Sequence, residues 1–219
     1  MIDVVIDIET IAPSGQMREY AQSRFERTAK APKNYKDPEK IEAYKANDVA
    51  EKMERLPLHT AYAEVCCIGI GYGDIRRVFG RWDFDDEAHM LDEFCHFWLN
   101  ASDDHGGVRW MGKGIKRFDF PILRTRLIAA GYQEQRHLYF PRFETRAVVD
   151  LEDEAWWPHN DRRGPSLEAM CVLLGIEPPE GSGADVAAQW AAGDVESIAR
   201  HCLSDVEKTT EVLRRLGAL

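Results

Sequence analysis

The sequence contains no Cys-x-x-Cys pair, although it has five cysteines, Cys66, Cys67, Cys95, Cys171 and Cys202. A zinc ribbon or thioredoxin-like site is therefore not indicated. The odd cysteine number and the lack of a signal-peptide pattern point to a reducing compartment, and a cytoplasmic location is expected. No apolar run approaches the length of a membrane span, so no membrane partner is expected. Basic residues are outnumbered, 28 Lys and Arg against 38 Asp and Glu, for a formal net charge of −10. Sequence-independent coating of a duplex rests on phosphate neutralisation by Lys and Arg, and this balance argues against it. A short stretch or one strand end remains within reach if cations sit where phosphates go. Internal repeats and low-complexity tracts are absent, and no feature addresses oligomeric state.

What is present suits a folded chain of one domain, with 219 residues, 44% of them apolar and 30% charged. Val4-Val5-Ile6-Asp7-Ile8-Glu9-Thr10 is a β-branched run that predicts a buried strand carrying two acids. The stretch from about 12 to 58 is rich in both signs of charge and broken by Pro32, Pro38 and Pro57. Its two halves read as helical, and the whole reads as a charged insertion after the first strand. Glu64 to Tyr72 predicts a core strand that turns at Gly73-Asp74 into a hairpin partner over Arg76 to Trp82. Amphipathic spacing of Met90, Leu91, Phe94, Phe97 and Trp98 predicts a helix over 85–100. Val108 to Met111 is a short strand. Helices are expected at Asp119–Ala130, from an N-cap at Ser166 to Gly175, and from Asp194 to Leu216. The order predicts an α/β fold with helices on both faces of one sheet.

Three segments carry chemistry. Asp7 and Glu9 are two apart on a strand and share a face. Two buried carboxylates repel each other and lose hydration, and a hard divalent cation resolves both problems. On their own they are equally well a strand end whose acids reach water. Asp119 follows a glycine turn (Gly112-Lys113-Gly114-Ile115-Lys116-Arg117) at a helix start, where an Asp is often only an N-cap. His201 and Asp205 are four apart on a helix, so an imidazole lies beside a carboxylate. Such a pair can take a proton from a water, and more often it is a surface contact.

Taken together, these segments resemble the DEDD superfamily of 3'→5' exonucleases, whose fold is ribonuclease-H-like. Asp7-Ile8-Glu9-Thr10 matches the first motif, Phe118-Asp119-Phe120-Pro121-Ile122-Leu123 the second, and His201 with Asp205 the third. Within that superfamily the chain resembles the exonuclease-like proteins related to family B DNA polymerases. Val149-Asp150-Leu151, Ser166 through Ile176, Gly183-Ala184-Asp185-Val186 and the closing helix look like that group. Two departures stand out. Three residues separate His201 from Asp205, the spacing of the branch that carries Tyr, and Lys113-Gly114 stands where Asn-Gly is common.

The resemblance implies a ribonuclease-H-like mixed sheet flanked by helices, in a single exonuclease domain over 1–219. It implies that Asp7, Glu9, Asp119 and Asp205 ligate two divalent cations, Mg²⁺ or Mn²⁺, and that His201 orients or deprotonates the attacking water. The expected reaction releases nucleoside 5'-monophosphates from the 3' end of single-stranded DNA or RNA. Lys113, Lys116 and Arg117 are expected to touch the strand backbone, with a solvated basic turn as the plain alternative. Phe143, Trp156 and Trp157 are conceivable base-stacking residues. The rival of another class is a non-catalytic module that binds a nucleic-acid end or a partner protein on the same fold.

Overall fold

A computed structural model describes residues 1–141, 146–152 and 164–219. Phe143, Trp156 and Trp157 lie outside the described residues. Five strands form one sheet in the order β3-β2-β1-β4-β5. They are β1 (Ile2–Ile11), β2 (Glu64–Tyr72), β3 (Ile75–Gly80), β4 (Val108–Gly112) and β5 (Val148–Asp150). β2 runs antiparallel to both β1 and β3, while β4 and β5 run parallel to β1. This mixed α/β sheet has the ribonuclease-H-like arrangement expected from the resemblance.

Alternation along β1 divides the molecule in two. Val4, Ile6 and Ile8 enter a large apolar cluster with helices α3 (Glu87–His105) and α4 (Asp119–Ala129). Phe94, Trp98, Trp110 and Phe120 run through that cluster as tilted and edge-on neighbours, with centroids 5.9 to 6.3 Å apart. Val5 faces the other way, onto helices α5 (Leu167–Leu173) and α7 (Val195–Arg215). Ile11 joins a third cluster with Ile198 and Cys202 of α7 and Val186 of α6 (Val186–Ala192). Helices thus cover both faces of the sheet. All five cysteines are free and buried, as expected of thiols acting as small core residues.

The expected strand over Arg76 to Trp82 ends earlier, at Gly80, and passes into a 3-10 turn over Arg81–Asp83. The cause is steric. The Trp82 ring folds back onto Gly80, so close that a Cβ there would meet it at 2.1 Å. Helix α3 runs past Asn100 to His105, because nothing stops it before Gly106 adopts the left-handed conformation at φ 68°. Ser166 caps α5 as expected, and Asp194 caps α7, each accepting a backbone N–H three residues on.

The 12–58 segment forms two helices, α1 (Gly15–Thr28) and α2 (Pro38–Glu54), and buries little of itself. Ala21 and Phe25 pack on Leu56 and Tyr62, whereas α2 buries no residue. The Thr10 hydroxyl donates to the Pro57 carbonyl at 2.7 Å and the Ser14 N–H donates to Glu64 at 3.1 Å. Both contacts root the helical pair at the C-terminal end of β1.

Candidate active site

Because Asp7 and Glu9 lie in phase with Val5 on β1, they face α7 rather than the α3 and α4 core. On α7, the helical period stacks Ile198, Cys202, Val206 and Leu213 against the sheet, and it turns His201 and Asp205 toward the acids of β1. The Nε2 of His201 is 3.3 Å from Glu9 Oε1, and its Nδ1 is 3.9 Å from Asp205 Oδ1. The Cys202 thiol donates to the Asp7 carbonyl at 3.7 Å.

Asp119 arrives from β4 by way of the glycine turn. It does not cap α4 in the expected sense: Phe118 holds the cap position and Asp119 is the first helical residue. Its Oδ1 instead accepts the N–H of Ile8, 111 residues away in sequence, at 3.2 Å. The carboxyl is thus tied to the strand that carries Asp7 and Glu9. Asp150, fully buried at the end of β5, holds the turn in shape by accepting the N–H groups of Gly114 at 2.7 Å and Lys116 at 2.9 Å. An aspartate used this way fixes several orphan donors at once.

The electrostatics follow from burial without compensation. Burial first, then Cys202, Glu9, Asp119 and Asp205, hold the Asp7 carboxyl well above its ordinary range. Burial, Asp205 and Asp119 push Glu9 up to about 8. Burial lifts Asp119 to about 7, with Asp150 adding to it while backbone N–H groups and Lys113 oppose it. Burial raises Asp205 as well, against the pull of His201 and Lys113. Asp7 Oδ2 and Asp205 Oδ1 are buried with no hydrogen-bond partner. Unpaired buried carboxylate oxygens are costly, and an all-oxygen set of this kind fits a hard divalent cation. Among the described residues, the three donors lying within 4.8 Å of one another are on Asp7, Glu9 and Cys202, while Asp119 and Asp205 act on Asp7 and Glu9 through their charge.

His201 is held in one orientation. Its Nδ1 lies 2.8 Å from the Glu180 carbonyl. A carbonyl only accepts, so Nδ1 carries the proton and Nε2 turns toward Glu9. The Glu180 N–H in turn donates to the Ser204 hydroxyl at 2.8 Å, which anchors the loop to α7. Gly181, at φ 81°, lies over the imidazole, where a Cβ would meet Nδ1 at 3.3 Å. Only glycine takes this backbone conformation without strain.

The three basic residues of the turn separate. Lys113 acts on both Asp119 and Asp205. Lys116 lines a distinct cleft of about 180 Å³ with Phe120, Arg124 and Tyr139. The Arg117 N–H closes the turn on the Gly114 carbonyl. Sequence reasoning missed Cys202, Asp150, Glu180 and Ser204. Cys202 stood three residues before Asp205 on one helix and could have been placed by the helical period. Asp150 and Glu180 act through loop geometry that has no local signature.

A family model described as a predicted 3'-5' exonuclease related to the exonuclease domain of PolB matches residues 54–218. The match includes Asp119, His201 and Asp205 and begins after the strand that bears Asp7 and Glu9. The family B DNA polymerase from the hyperthermophilic archaeon Pyrobaculum calidifontis is similar in structure, with a TM-score of 0.53 at 15% identity. That likeness covers 98% of this chain and 24% of the polymerase, so the chain spans about a quarter of the polymerase's length. It is a likeness of fold. No curated protein matches the sequence. Among the described residues no helix is long and apolar enough to cross a membrane.

Proposed function

The chain belongs to the family of predicted 3'-5' exonucleases related to the exonuclease domain of PolB, and from that premise we propose that it removes nucleotides from the 3' end of single-stranded DNA or RNA as nucleoside 5'-monophosphates. In this reading Asp7, Glu9, Asp119 and Asp205 hold two divalent cations, Mg²⁺ or Mn²⁺. Residues 1–219 act as one domain, with the 12–58 segment as an insertion.

The observation that carries the reading is the burial of acids from β1, α4 and α7 around a point where Asp7 Oδ2 and Asp205 Oδ1 have no protein partner. A chain gains nothing in stability from such an arrangement, since like charges taken from water raise each other's free energy. When bound, the cations supply Lewis acidity and cancel the charge of the carboxylates.

The protein's own groups do the rest. His201 presents Nε2 as a proton acceptor, because the Glu180 carbonyl occupies the Nδ1 proton. Its place beside Glu9 sets it to orient or deprotonate an attacking water. Lys113, whose charge acts on both Asp119 and Asp205, offers the phosphate a positive charge at the site.

The reading is tested with 3'-labelled single-stranded DNA and RNA incubated with Mn²⁺ or with EDTA. Mononucleotide release from the first time point, in Mn²⁺ alone, is expected. Internal cuts in a circular single strand would make the protein an endonuclease. No metal-dependent loss of label from either substrate would leave a binding module.

A further inference from the structure

We propose that the tip of the α1–α2 hairpin is a second binding site for the single strand, a basic and aromatic platform that grips the chain upstream of its 3' end. The proposal rests on the exonuclease reading for the direction of the strand, and on different residues for its evidence.

The hairpin is rooted next to Glu9 through the Thr10–Pro57 and Ser14–Glu64 hydrogen bonds. Phe25 of α1 packs on Leu56 and Tyr62 at that root, and the helical rise of α2 carries the connecting loop about 20 Å away from it. Charge is segregated along it. From Arg27 to Lys36 there are four basic residues, Arg27, Lys30, Lys33 and Lys36, and no acid. The acids of the hairpin fall mostly on α2, where Glu42 pairs with Lys45 and Asp48 with Lys52. Arg27, Lys30, Lys33 and Lys36 are exposed, and among the described residues none of them forms an ion pair. A merely solvated helical pair in a chain of net charge −10 has no reason to gather unpaired positive charge at one end.

Aromatic rings lie in the same place. Asn34, Tyr35, Lys36, Lys40 and Tyr44 line an open cleft of about 700 Å³. Tyr35 and Tyr44 are 39% and 40% exposed, with ring centroids 5.6 Å apart and planes at 75°. Asp37 also lines the cleft, but its carboxylate accepts the Glu39 N–H at the start of α2. Exposed tyrosines among unpaired lysines suit a single strand, whose bases offer open faces for stacking while its phosphates meet the ammonium groups. A duplex offers the phosphates and hides the faces. At about 3.4 Å per stacked nucleotide, some six nucleotides separate the tip from the end held at Glu9.

The test is fluorescence anisotropy in EDTA with the Asp7→Asn protein, using labelled DNA and RNA of one 20-nucleotide sequence and a trinucleotide of each. Without cations the remaining acids repel phosphate, so affinity for the long strand reports the tip. Adding Lys30→Glu, Lys33→Glu and Lys36→Glu together is expected to weaken the 20-mers about tenfold or more. It should also reduce the salt slope by about two, since each lost single-strand contact removes about 0.7. Tyr35→Ala with Tyr44→Ala is expected to weaken the 20-mers about fivefold, with the salt slope kept. Affinity for the 20-mers unchanged within twofold in both variants would overturn the proposal, as would an equal loss on the trinucleotides. In the otherwise wild-type protein with Mn²⁺, the charge reversal should lower kcat/KM for the 20-mer at least fivefold more than for the trinucleotide. If the wild-type protein hydrolyses neither substrate while the anisotropy difference holds, the exonuclease reading fails and the platform stands.

Discussion

The two faces of β1 are built from one strand and do opposite things. Val4, Ile6 and Ile8 are buried in an apolar cluster where every neighbour is compatible. One residue out of phase, Asp7 and Glu9 are carried into a setting that holds their carboxyls far above the ordinary range. The first face earns stability, and the second gives some of it up for a cluster of acids that, on the proposed reading, holds cations. Alternation along a strand is what lets both coexist within a few residues.

The largest effect expected from breaking the comparison is on the acidic face. On the proposed reading Asp7→Asn removes a metal ligand without removing volume and should lower exonuclease turnover by about a thousandfold or more. Its metal-free melting temperature should stay level or rise, because one of several like charges has gone. Near-normal turnover of this variant would mean that the site is misassigned. On the apolar face the reverse is expected. Ile6→Ala should cost about 3 kcal/mol of stability by denaturant titration while leaving per-molecule activity of the folded fraction intact. A loss under about 1 kcal/mol would show that the core beside β1 collapses freely around the gap.

A smaller effect sharpens the role of the imidazole. His201→Ala should reduce kcat by about a hundredfold, near 2.7 kcal/mol of barrier. Less than about threefold would assign the proton to another group. Ser204→Ala frees the loop that aims His201 and should lower kcat by a smaller factor, with little change in KM.

The smallest effect is in pH. Glu9 is raised from 4.5 to about 8 and Asp119 from 3.8 to about 7. A raised folded value means that the native state binds protons more tightly than the unfolded chain. The stability these groups contribute is then complete below about pH 4 and is lost as pH rises through 7 and 8. Metal-free protein in EDTA should therefore melt progressively lower from pH 5 to 9, by at most about 1.4 kcal/mol per pH unit for each extra proton held. Saturating Mn²⁺ should flatten that slope by replacing protons with cations. A stability that rises over the same range would show these carboxyls to be ionised already.

Much of this was legible in the residues. The β-branched run of β1, the Gly73-Asp74 turn, the apolar spacing of α3 and the cap at Ser166 are local signals, and the structure follows them. The strand β5, only three residues long, had too little periodicity to separate it from a loop. The short helix α6 likewise carries just one buried residue. In the 12–58 segment the helices were readable, but the segregation of its charge needed the hairpin to be folded before it had any spatial meaning.

The linear order of residues decided the elements and which side of each strand or helix a residue occupies, because backbone geometry sets periods of 2 and 3.6 whatever lies around it. It therefore decided that Asp7 goes with Glu9 and His201 with Asp205. Tertiary structure alone decided that these pairs meet, that Asp119 is tied to the Ile8 N–H, and that the Glu180 carbonyl selects the nitrogen of His201 that faces Glu9. Those are contacts between groups far apart in the chain. Their energies depend on burial and distance, which come into existence only when the sheet and α7 pack together.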